Sequence, residues 1–217
     1  MTLLEKLSSN KGTVSSALGK DIAVKILEGN IQLLVEAIPL VCHEMINSKA
    51  KHIRSGAAKI IECVAEKNPI LVVPYLENIL PSLQVEEPQT KWMIFMALGY
   101  CAEIKPQIAE KALPFAKKYI LEKTDGQLCL VGAIDKFLGF FGKTSEENAQ
   151  KAYSLLIEST DNVIMNEADW IIEGFIDIVK YLNKEQKKEV LSFANEYKNS
   201  SKIATQKRSR TLIEKCK

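Results

Sequence analysis

Apolar residues recur along the chain at i, i+3, i+4 and i+7, and no stretch alternates apolar with polar as a half-buried strand would. The pattern predicts an all-α protein. Its helical segments stop at Gly29-Asn30, Asn68-Pro69, Lys105-Pro106, Lys143-Thr144 and near Lys184, at intervals of 38, 37, 38 and 41 residues. A nearly fixed period of that size is the mark of stacked helical hairpins. The segment 64–69 (VAEKNP) lies over 101–106 (CAEIKP) at an offset of 37, so a proline returns where it suits a first helical turn.

Each repeat reads as two helices: 31–46 with 52–67, 70–83 with 90–104, 107–121 with 128–142, 146–159 with 166–182, and 184–197 with 202–215. The organisation expected is one domain over 1–217. It comprises a capping segment 1–30, repeats at 31–68, 69–105, 106–143 and 144–184, and a C-terminal cap at 185–217 with a basic end. The second helices share an apolar register. Ala57, Ile60, Ile61 and Val64 fall on Ile94, Ala97, Leu98 and Cys101, and then on Ile172, Phe175, Ile176 and Val179, which predicts one buried stripe. The same alignment places Val131, Ile134 and Leu138 in the stripe together with Asp135, a local conflict in register.

Paired helices of this length, a basic residue opening the second helix (Arg54, Lys91) and small residues within it (Gly56, Ala57, Ala58) resemble a HEAT or HEAT-like α-solenoid of the armadillo type. The resemblance covers roughly residues 30–200. It implies a right-handed α-α superhelix of about five to six stacked helical hairpins, with second helices lining a concave face that binds macromolecules. The turns NSKAK and VEEPQ lack the aspartate common in that family, whereas Asp125 and Asp161 supply it in the later turns.

Opposite the core stripe the repeats differ. One presents Ser55, Lys59, Glu62 and Glu66; the next presents Trp92, Met96, Gly99 and Glu103 with Phe95 and Tyr100 beside them; a later one presents Trp170, Gly174, Asp177 and Tyr181 flanked by Asp169 and Glu173. Both tryptophans thus hold one repeat position, and an exposed aromatic near a glycine makes a shallow pocket for a partner's side chain. A register shifted by one residue would instead bury both. The partner-binding candidates are Trp92, Phe95, Met96, Tyr100, Trp170, Glu173, Asp177 and Tyr181, and Glu173 with Asp177 would favour a partner carrying basic residues. A tryptophan groove in a short HEAT-like stack is also similar to the alkylpurine DNA glycosylases of this architecture. There an acid follows the first groove tryptophan by one turn, but this chain has Met96, so the alternative is a DNA-binding relative lacking the catalytic acid.

Composition narrows the chemistry. The 217 residues carry 29 basic and 27 acidic side chains for a net +2, yet 198–217 alone holds seven basic residues against Glu214, so the body is mildly acidic and a poor polyanion receptor. A protein or peptide partner is therefore favoured over nucleic acid. Five cysteines without a C-x-x-C pair or nearby histidine build no zinc site and read as reduced thiols of a cytoplasmic protein. His43-Glu44 resembles the His-Glu pairs of an iron-binding HEAT-repeat hydroxylase family, but one pair is too few. Gly142-Lys143-Thr144 lacks the first glycine of a phosphate loop. The longest nearly unbroken apolar run, 92–102, is too short for a membrane helix, and 1–20 lacks the pattern of a secretion signal. The expectation is a non-enzymatic scaffold or adaptor with no catalytic residues, metal or cofactor.

Overall fold

A capping box starts the chain's first helix, α1 (Leu3–Ser9): the Thr2 hydroxyl accepts from the Glu5 N–H, and the Glu5 carboxylate accepts from the Thr2 N–H. The computed structural model describes residues 1–10, 16–42, 51–122, 128–161, 163 and 168–217, and among the described residues every regular element is helical. The chain divides into two compact units, Met1–Ile108 and Ala109–Lys217.

The first unit continues with α2 (Ser16–Leu27), α3 (Gln32–Leu40), α4 (Lys51–Lys67), α5 (Pro69–Val72), α6 (Leu76–Ile79) and α7 (Pro88–Cys101). Helix α2 stops at Gly29, whose φ of 114° lets its N–H reach the Ile26 carbonyl while the Asn30 N–H reaches that of Lys25. The single helix expected over 70–83 is not formed. Prolines 74 and 81 each remove an N–H donor, so the segment runs as α5, a 3-10 turn Val73–Tyr75, α6 and a second 3-10 turn Leu80–Gln84. Helix α4 is central to this unit, packing against α1, α2, α3, α5 and α7. Its predicted stripe of Ala57, Ile60, Ile61 and Val64 is fully buried, as are Ile94, Ala97, Leu98 and Cys101 of α7.

Between the units the boundary falls within the short helix α8 (Pro106–Glu110); the second unit then holds α9 (Leu113–Leu121), α10 (Leu128–Gly142), α11 (Glu146–Thr160), α12 (Ala168–Ile178), α13 (Lys184–Tyr197) and α14 (Ile203–Cys216). Here α10 packs on α12 and α12 on α14, with α11 against both α10 and α12 and α13 against α14. Caps set two of the starts: Ser145 Oγ accepts from the Asn148 N–H at 3.1 Å, and Asn183 forms a capping box with Gln186. Asp135, out of place in an apolar stripe, is buried with Ser159 Oγ donating to its Oδ1 at 2.8 Å, so the stripe's register stands and the acid has a partner. Ile172, Phe175 and Val179 are buried as expected, whereas Ile176 is half-buried.

Candidate functional site

Trp170 stands near the start of α12, half-buried, with its indole laid across Gly132 of α10. A Cβ at Gly132 would come within 1.3 Å of the ring's Cε3, so the indole fills the volume of the missing side chain. Lys202, the residue before α14, places its Nζ 6.0 Å from the ring centroid. Two more glycines serve the same helix contact. Gly174 faces the Asp135 carbonyl oxygen, 2.8 Å from where its Cβ would be, and Gly139 faces Asp177 Oδ2 at 2.9 Å. Gly174 was expected to open a pocket beside Trp170; it is buried and lets two helices approach closely instead.

The acids around Trp170 are also engaged. Asp169, only 3% exposed, accepts from Lys202 Nζ at 2.8 Å and from Arg208 Nη1 at 2.7 Å. Arg208 Nη2 lies 2.8 Å from Glu173 Oε2, and Lys136 Nζ lies 3.6 Å from the same oxygen. The basic C-terminal segment thus neutralises the acidic rim from within the unit. Glu173 is therefore already paired to two cations, which weakens the expected preference for a basic partner. Asp169→Asn is expected to cost about 1–3 kcal/mol, because a nearly enclosed charge-assisted contact is lost. Hydrogen exchange measures it: amides of α14 should exchange faster, and unchanged protection would show that these pairs do not hold the helix. Tyr181 lies half-buried in the 3-10 turn Val179–Tyr181, its hydroxyl donating to the Lys143 carbonyl at 3.4 Å and Lys180 Nζ lying 4.6 Å from its ring.

In the first unit Trp92 and Tyr100 are half-buried on one side of α7, while Phe95 is fully buried and Met96 is 8% exposed. Phe95 and Met96 were expected on an open face, and both are packing residues. The reason is in the helix itself: apolar residues lie on nearly every side of α7, so packing covers most of it, the flank of Phe95 and Met96 included, and leaves Trp92 and Tyr100 half-buried. Lys59 of α4 sets its Nζ 5.5 Å from the Trp92 ring and pairs with Glu62 at 2.5 Å. Ser55 and Glu62, expected on a polar outer face, are buried as well.

Sequence reasoning missed two features. Arg54, 1% exposed, donates from Nε to Glu87 Oε1 at 2.5 Å and from Nη2 to Oε2 at 2.9 Å, tying α4 to the residue that opens α7. In the second unit a cleft of about 450 Å³ is lined by Lys184, Lys187, Lys188 and Leu191 of α13, with Leu182, Cys216 and Lys217. The run KEQKKEVL carried a signal for it, three lysines at i, i+3 and i+4 followed by a leucine at i+7. Four of the five thiols are disfavoured as thiolates, since burial pushes Cys101 up to about 12 and raises Cys42, Cys63 and Cys216 as well, while Cys129 is exposed. Among the described residues no group of three or more His, Cys, Asp or Glu is placed to hold a metal ion, and no helix is long and apolar enough to cross a membrane. His43-Glu44 and Asp125 lie outside the described residues.

No family model matches the chain, and no curated protein matches it. Among solved structures, 19 chains match. One is the crystal structure of an engineered protein, to which this chain is similar at 12% identity over 100% of its own length and 97% of that chain, with a TM-score of 0.64. At that identity the likeness concerns the fold alone.

Proposed function

We propose that this all-helical chain is a non-enzymatic scaffold of HEAT-like architecture, a right-handed superhelix of about five to six helical hairpins that binds a protein or peptide segment. The observation that carries the reading is the succession of second helices: α4 packs on α7 in one unit, and α10, α12 and α14 pack in turn in the other. That order fits the period of about 38 residues. Binding would use the half-buried aromatic residues Trp92 and Tyr100 of the first unit and Trp170 and Tyr181 of the second, whereas Phe95 and Met96 are buried in the packing of α7.

Affinity capture with the full chain, from the cells in which it is native, tests the reading. A stoichiometric partner should be retained by the wild type and lost at least about tenfold by Trp92→Ala, with the melting temperature little changed because that indole is only half-buried. Equal capture by Trp92→Ala would remove this residue from the binding surface. Duplex DNA bound tightly at low salt, with no protein retained, would favour the DNA-binding alternative instead.

A further inference from the structure

The cleft beside α13 differs in charge from the surroundings of Trp170. There the cations face carboxylates, whereas Lys184, Lys187 and Lys188 lie along the cleft with no ion pair formed to them among the described residues. Glu189 on the same helix is turned away, taking a hydrogen bond from the Tyr153 hydroxyl. The cleft's apolar lining includes Leu182, which is buried, and Leu191, which is half-buried. Burial also pushes the Cys216 thiol up, with the charge of Lys187 acting in the opposite direction.

We propose that this cleft docks an acidic peptide segment, whose carboxylates meet Lys184, Lys187 and Lys188 while one aliphatic side chain rests on Leu182 and Leu191. The inference rests on the protein-binding reading above and gives its partner a chemistry. Spacing selects the class. Lys187 and Lys188 each stand one turn from Lys184, about 5–6 Å at Cβ, and alternate side chains of an extended peptide stand about 6.6 Å apart, so ammoniums spread over one turn match successive carboxylates. A single phosphate would be better held by donors converging on one point, as the fork of an arginine does. Leu182 and Leu191 also line the cleft, which gives the partner's apolar side chain a place that lysines alone lack.

Fluorescence anisotropy on the full chain tests it, with a fluorescein-labelled peptide Asp-Glu-Leu-Asp-Glu as the probe. Saturable binding is expected, weakened several-fold between about 50 and 300 mM salt. The double variant Lys187→Glu with Lys188→Glu should bind at least about tenfold more weakly with an unchanged circular dichroism melt. If that variant is unstable, Lys184→Gln with Lys188→Gln, both at exposed positions, serves in its place. Leu191→Ser should weaken the leucine peptide and leave its glycine-substituted counterpart unaffected. Equal binding by the charge variants overturns the proposal. So does equal binding of a lysine-rich peptide, or saturable binding of inorganic phosphate or phosphatidylserine vesicles in the absence of peptide binding. A partner lost by Trp92→Ala but retained by the lysine variants would sink the cleft alone; a partner lost by the lysine variants but retained by Trp92→Ala would support the cleft and sink the tryptophan surface.

Discussion

Gly132→Ala is expected to destabilise the second unit by about 1–3 kcal/mol, the cost of overpacking a filled contact. The sign is the informative part, because alanine in a helix interior normally gains about 1 kcal/mol over glycine. Here the new methyl would sit 1.3 Å from the Trp170 ring, which must swing out and leave both α10 and the Lys202 ammonium. Urea unfolding of Gly132→Ala in a Trp92→Phe background should show a lower midpoint and a red-shifted Trp170 emission. In a Trp170→Ala background the same glycine substitution should become neutral or stabilising, since nothing remains to clash with. A Gly132→Ala protein more stable than wild type would mean that the indole does not lie on this glycine.

Glu87→Ala is expected to cost about 3–5 kcal/mol, larger than any surface ion pair would give, because it removes the bidentate carboxylate partner of a guanidinium that is 1% exposed. Thr90 Oγ1, which donates to Glu87 Oε1 at 3.0 Å, loses its acceptor as well. Replacing Arg54 and Glu87 together by methionine should restore most of the loss, since it removes the buried cation along with its carboxylate. The pH dependence follows from the same contact. Burial alone would raise the Glu87 carboxyl, but the Arg54 hydrogen bonds and charge outweigh it and hold the group below the ordinary glutamate range. A carboxyl depressed in the folded state contributes stability that is fully present above its unfolded pKa, about 4.3, and is lost as pH falls through the lower folded value. Acid titration of unfolding should therefore show wild type losing more stability below about pH 4 than Glu87→Gln does. Parallel curves for the two proteins would remove this pair as a source of acid sensitivity.

Much of the helical layout was legible because its causes are local. The limits 184–197 and 128–142 coincide with α13 and α10, where the apolar period and the flanking breakers lie within the segment itself. At 70–83 and 107–121 the apolar period continues through Pro74, Pro81 and Pro114, but each proline lacks an N–H donor and the segments break into shorter helices. The candidate face was less legible. Helical angle puts Met96 and Phe95 opposite the core stripe, but on a helix apolar on nearly every side that angle does not decide which flank stays open, and they are buried while Trp92 and Tyr100 are half-exposed.

The order of residues fixed which segments coil, where they stop and which stripe of each second helix is apolar, since each depends on neighbours within about one or two turns. Which of the remaining faces stayed open was decided by contacts across the fold. Trp170 lies on Gly132, 38 residues earlier, Arg54 reaches Glu87 33 residues on, and Arg208 crosses 39 residues to neutralise Asp169. A side chain's helical angle is set by its own segment, but its exposure and its net charge environment are set by whatever packs against it. Only the folded chain brings those partners together.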